Sequence, residues 1–245
     1  MRPPNRIGQD HVIANSDEPR LEGSVLIVED HAVLAQGLGA ALQGVGLTVS
    51  TTDADPPDRF GEVLDEARPD VVLLDLWLGT AVGSGLGLIP AILSAGARIV
   101  ILTASEDPVL LASCVEAGAF DLANKSEPFA SVLAKVQGAL DGGPGLGEVA
   151  RQEYLAELAR ARAADFDRLA PFARLTPREA SVLRALIEGR SAQEIATAGP
   201  VALATVRTQI RAILHKLGVS SQLAAVALAR RAGWPEDPAE RIHQV

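Results

Sequence analysis

At 245 residues, nearly half of them apolar, the chain is too long for one typical domain and long enough to fill two ordinary cores. Its single cysteine, Cys114, excludes an internal disulfide and suits a reducing compartment, and no uninterrupted apolar run reaches the roughly 18 residues that would argue for a membrane span. The net charge of −9 is unevenly placed: residues 1–140 hold 8 Lys/Arg against 19 Asp/Glu, whereas residues 171–231 hold 9 against 3, so the back alone is suited to phosphates.

Residues 1–22 are polar and without period, which predicts a disordered tail. They carry no apolar stretch of signal-peptide length, and the expected location is the cytoplasm. From Ser24 the pattern changes. VLIVE (25–29), VVLLD (71–75) and IVILT (99–103) are short continuous apolar runs, the signature of strands buried on both faces. Weaker strands are expected at 47–51 and 120–123. Helical spacing fills the gaps at 32–42, 59–67, 86–93, 109–117 and 128–140. Five βα alternations predict an α/β, flavodoxin-like, doubly wound sheet of five parallel strands over 23–140.

DGGPGLG (141–147) breaks that pattern, and the Ala-, Arg-, Glu- and Leu-rich stretch 148–169 predicts a linker helix within 141–170. A solvated helix is the plain reading of its patchy apolar stripe, and a coiled-coil seam the sharper one. Residues 171–235 form a small all-α unit, followed by a tail at 236–245. Thr176 and Glu179, then Ser191 and Glu194, have capping-box spacing. Gly199-Pro200 makes a turn. In the third helix, 203–217, Val206, Ile210, Ile213 and Leu217 form a buried stripe, and Ala204, Arg207, Thr208, Arg211 and His215 lie outside it. Such a helix suits a DNA groove.

In an open α/β sheet the functional crevice lies beyond the carboxyl ends of the strands. Strand one ends in Glu29 and Asp30, strand three in Asp75, strand four in Thr103, and strand five leads to Lys125. Three carboxylates in one crevice repel unless a cation intervenes, and hard oxygen donors suit Mg²⁺. A carboxylate so placed can attack phosphorus, and a hydroxyl and an ammonium opposite can hold the transferred oxygens. Each residue alone has a plainer role: Asp30 could cap a helix, Thr103 could start a turn, and Lys125 could be solvated. Their joint placement favours the chemical reading.

On VLIVED, VVLLDLWLG, ILTAS and GAFDLANK, residues 24–140 resemble a two-component receiver domain. The resemblance implies that Asp75 is the phosphoacceptor. Glu29, Asp30, Asp75 and the carbonyl of Trp77 would hold Mg²⁺, and Thr103 and Lys125 would take the phosphoryl oxygens. Residues 175–233 resemble the LuxR-type helix-turn-helix of the NarL/FixJ class. This implies DNA contacts by Arg207, Thr208 and Arg211 at bases or groove, and by Thr205, Gln209 and Lys216 at the backbone. Leu223, Val226 and Ala227 of the closing helix would dimerise on DNA. The sequence departs from the family pattern at Gly79, where proline is usual, at Leu122, where an aromatic switch is usual, and at Ala202, where serine or threonine is usual.

The combined expectation is a phosphorylation-controlled, DNA-binding regulator with a sensor histidine kinase and double-stranded DNA as partners. A homodimer on DNA and contact with RNA polymerase would accompany it. Two other readings fit part of the same pattern. One is an orphan receiver-like regulator switched by ligand, partner or oligomerisation. The other is a phosphatase of the haloacid dehalogenase type, which wants an Asp where Trp77 stands, so the chain is not expected to be an enzyme.

Overall fold

The computed structural model describes residues 21–199 and 201–235. The expected tails fall largely outside these residues, as does Pro200 of the turn. Leu21 is described, and it does not belong to a free tail: its N–H donates to the Val45 carbonyl at 3.0 Å and its side chain packs on the core of the sheet.

Five strands form one parallel sheet in the order β2-β1-β3-β4-β5: β1 Ser24–Val28, β2 Thr48–Thr52, β3 Val71–Leu74, β4 Arg98–Thr103 and β5 Asp121–Asn124. The order reverses beside β1, the switch point at which such folds carry their sites. Strand alternation explains the unbroken apolar runs. Leu26 and Val28 enter one apolar layer with Val72, Leu74, Ile99 and Ile101, whereas Val25 and Ile27 enter the opposite layer. The edge strand β2 (TVSTT) has one neighbour and is largely open to solvent, which is why its sequence signal is weak.

The flanking helices are α1 Ala32–Gly44, α2 Phe60–Ala67, α3 Gly79–Val82, α4 Ile89–Ser94, α5 Pro108–Ala117 and α6 Phe129–Leu140. The predicted helix at 86–93 begins instead as a 3₁₀ turn, Gly85–Leu88, and the short α3 lies in the Gly-rich loop where no helix was expected. Cys114 is buried in α5, and burial pushes its thiol up to about 12, so it is a core residue rather than a nucleophile.

The linker helix α7, Glu148–Ala173, is longer than its sequence period suggests and is not simply solvated. Its first half docks on α5. Arg151 donates to the Val115 and Ala119 carbonyls at 3.2 and 2.9 Å, at and just beyond the C-terminal end of α5. Leu158 is buried, and Arg162 forks onto the Glu116 carboxylate at 2.5 and 2.6 Å. Residues 162–168 are exposed. Phe172 then enters the core of the C-terminal helices and stacks on Trp234, with ring centroids 5.2 Å apart. These helices are α8 Pro177–Ile187, α9 Ala192–Ala198, α10 Leu203–Leu217 and α11 Gln222–Arg231. Both expected capping boxes are present, at Thr176/Glu179 and Ser191/Glu194. Among the described residues, no single helix is long and apolar enough to cross a membrane.

Candidate functional site

Backbone register assembles the acidic pocket. Val28 pairs with Leu74, so Glu29 and Asp75 leave neighbouring strands side by side, with the Asp75 N–H on the Val28 carbonyl at 2.9 Å. Leu74 pairs with Ile101, which brings Thr103 to the same end, and the Lys125 N–H donates to the Thr103 carbonyl at 2.9 Å. Parallel strands ending at one level thus converge residues that lie up to a hundred positions apart.

Glu29, Asp75 and Thr103 are buried, and Asp30 is exposed at the rim. Lys125 Nζ lies 2.6 Å from Glu29 Oε2 and 2.7 Å from Asp75 Oδ2. Burial raises the pKa of Asp75 against the opposing effect of Lys125. Burial works against the charge on Lys125, but its contacts with Asp75 and Glu29 outweigh that cost and raise its pKa. Asp75 Oδ1 is buried without a hydrogen-bond partner. Thr103 Oγ1 accepts from the Ser105 N–H at 3.1 Å, which steadies the turn after β4. Asp30 does not cap α1; His31 holds the N-cap position and makes no side-chain cap bond. No hydrogen bond among the described residues uses the Trp77 carbonyl.

One participant went unnoticed in the sequence. His31 Nδ1 lies 2.9 Å from Glu29 Oε1 and 2.8 Å from Asp30 Oδ1. Its hydrogen bond with Glu29, together with the two negative charges, raises its pKa. Glu29, Asp30, His31 and Asp75 each bring one donor atom into a cluster that could hold a metal ion.

The departure at Gly79 has a backbone cause. Its φ is +66°, a conformation closed to proline. A Cβ there would lie 3.4 Å from Asp30 Oδ2. Leu122 sits half-buried against the core.

In the C-terminal unit, Val206, Ile210, Ile213 and Leu217 of α10 are buried. Thr205, Arg207, Thr208 and Arg211 are exposed together on the opposite side. Two expected backbone contacts are held differently. Lys216 Nζ is tied to Glu179 Oε2 at 2.6 Å and does not stand free on that face, while the Gln209 side-chain oxygen is buried without a partner. Ala202 occupies the N-cap with no side-chain cap bond. On α11, Leu223 is 79% exposed and Ala227 is exposed, whereas Val226 is half-buried on its own domain core, because its position on the helix turns it toward α8 and α10.

Comparison with known proteins matches residues 25–137 to the response regulator receiver domain and residues 173–229 to the bacterial regulatory proteins of the luxR family. The chain is 30% identical over 209 residues to the probable transcriptional regulatory protein NarL of Mycobacterium tuberculosis, covering 84% of this chain and 93% of that one. It is 28% identical over 212 residues to the transcriptional regulatory protein LiaR of Bacillus subtilis, covering 84% and 96%. With the nitrate/nitrite response regulator NarP of Escherichia coli it shares 31% over 207 residues, covering 83% and 93%. Among solved structures, the response regulator ChrA is 27% identical, covering 90% of this chain and 99% of that one, with a TM-score of 0.41. A five-stranded parallel sheet, a helical C-terminal unit, the two family matches and the likeness to NarL and NarP place the chain in one family: it is a DNA-binding transcriptional response regulator of the NarL/FixJ class, with a receiver domain and a LuxR-type helix-turn-helix.

Proposed function

We propose that this regulator is switched by transfer of a phosphoryl group from a sensor histidine kinase to Asp75, and that the switch sets how α10 engages double-stranded DNA. The carrying observation is Asp75 itself: Oδ2 is paired with Lys125 at 2.7 Å, while Oδ1 is buried and unpartnered. An orphaned buried oxygen is costly, and it keeps a lone pair free for attack. In the transfer, an Asp75 carboxylate oxygen bonds to phosphorus as the bond to the donor's imidazole nitrogen breaks and its electron pair leaves with that nitrogen. The Lys125 ammonium and the Thr103 hydroxyl take the phosphoryl oxygens.

Glu29, Asp30 and Asp75 bring together carboxylate oxygens that fit Mg²⁺, the unpartnered Asp75 oxygen agrees with that fit, and the Trp77 carbonyl would complete the set. When bound, Mg²⁺ supplies the positive charge that lets three carboxylates and a phosphoryl group share one crevice. Beside Asp75 and Lys125 lies an open hollow of about 810 Å³, walled by Val33, Leu34, Leu38, Trp77 and Phe129. It offers a kinase helix an apolar seat next to the acceptor.

At the output end, Arg207, Thr208 and Arg211 read bases or groove and Thr205 meets the backbone. Gln209 and Lys216 contribute to the backbone contacts only if their inward arrangements open. Leu223 and Ala227 present an apolar strip to a second copy, so the operator is two-fold symmetric. RNA polymerase is the further partner at a promoter, and the cytoplasm is the setting. Fluorescence anisotropy with an operator duplex, with and without beryllofluoride, tests the switch. The wild type should change its affinity by about tenfold and Asp75→Asn should not respond. Equal affinity in all four conditions would oppose it. In that case the second reading, a regulator switched without phosphorylation, takes its place; Leu122, standing where the family carries an aromatic switch, favours it.

A further inference from the structure

His31 is the residue of the acidic pocket for which the phosphoryl chemistry has no use. Its Nδ1 stands 2.8 Å from Asp30 Oδ1 and 2.9 Å from Glu29 Oε1, and the backbone N–H of His31 donates to the same Glu29 oxygen at 3.1 Å. The four donor atoms of Glu29, Asp30, His31 and Asp75 all lie within 4.8 Å of one another. In an octahedral site with bonds near 2.1 Å, neighbouring ligands stand about 3.0 Å apart and opposite ones about 4.2 Å. The spacing in the pocket is of that scale. A second, independent sign is Asp75 Oδ1, which is buried beside the cluster with no hydrogen-bond partner. The imidazole is 72% exposed and is held by the two carboxylates, so it can turn onto an ion without disturbing the core.

Donor chemistry then separates the ions. Mg²⁺ demands oxygen and sheds water reluctantly, whereas imidazole nitrogen suits the later first-row ions best. Mn²⁺ shares the oxygen preference of Mg²⁺ but, as a transition ion at the start of that affinity series, takes a nitrogen ligand more readily. We propose that His31 is a nitrogen ligand to the dication held by this pocket and biases the site toward Mn²⁺ or Co²⁺ over Mg²⁺. The inference rests on the reading that Glu29, Asp30 and Asp75 bind a dication.

The test uses the full chain and no activity. Mn²⁺ binding is followed by electron paramagnetic resonance, Mg²⁺ binding by calorimetry, and nitrogen ligation by pulsed measurement of ¹⁴N coupling to bound Mn²⁺. The wild type should show imidazole coupling that disappears in His31→Gln. Mn²⁺ affinity should fall about tenfold or more in that variant, with Mg²⁺ affinity nearly unchanged. Absence of ¹⁴N coupling in the wild type would overturn the proposal. So would an equal loss for both ions, which would make His31 a holder of the carboxylates rather than a ligand. Asp30→Asn separates the layers: it should weaken both ions. If the wild type binds neither, the pocket reading itself fails, and the inference fails with it.

Discussion

Lys216 Nζ lies 2.6 Å from Glu179 Oε2, and that same oxygen accepts from the Thr176 N–H at 2.7 Å and the Thr176 hydroxyl at 3.0 Å. One carboxylate therefore closes the first turn of α8 and clamps the last turn of α10. Lys216→Met should lower the stability of the C-terminal unit by about 1–2 kcal/mol, while barely altering how DNA affinity falls with salt. A salt slope reduced by about one would make Lys216 a phosphate contact instead. The pairing with Lys216 also holds Glu179 below the usual carboxylate range. Its contribution is therefore present above the ordinary glutamate value and is lost as pH falls through the lowered one. Acid melting curves of the wild type should show that loss, and Glu179→Gln should flatten it.

Arg151 is the anchor by which α7 belongs to the receiver, since its guanidinium satisfies carbonyls of both Val115 and Ala119. Arg151→Ala should strip amide-exchange protection from the first turns of α7 by roughly 1–3 kcal/mol and leave the sheet protected. Unchanged protection in α7 would mean that Leu158 and the Arg162–Glu116 pair suffice.

Ala202 leaves the first turn of α10 without a side-chain acceptor, and its backbone already has the extended N-cap conformation, φ −67° and ψ 146°. Ala202→Ser should raise the Tm of the C-terminal transition, corresponding to about 1 kcal/mol. No gain would indicate that water or the backbone already satisfies those N–H groups.

Arg207 and Arg211 are four residues apart on the exposed face of α10. Arg211→Ala should cost about 1–3 kcal/mol in operator binding and relax sequence preference at one position per half-site. A uniform loss across all duplexes would assign Arg211 to phosphate.

The parts legible in the sequence were those set by local chemistry. Doubly buried strands such as VLIVE and VVLLD announce themselves, because both faces must be apolar, and capping boxes sit at fixed spacing. The convergence of Glu29, Asp30, Asp75, Thr103 and Lys125 followed from strand ends alone. What stayed hidden was side-chain choice among several partners. Lys216 read as an exposed cation because its partner, Glu179, lies 37 positions earlier. His31 drew no notice because its contact with the carboxylates depends on how the chain turns after β1. The docking of α7 on α5 was hidden for a similar reason: Arg151 bonds to backbone carbonyls, which carry no sequence signature.

The most direct test of phosphoacceptance is the intact mass of the protein after incubation with acetyl phosphate and Mg²⁺, for the wild type and Asp75→Asn. A single phosphoryl adduct on the wild type, absent from the variant, is the predicted result. A folded, DNA-binding wild type that takes up no phosphoryl group would contradict the account.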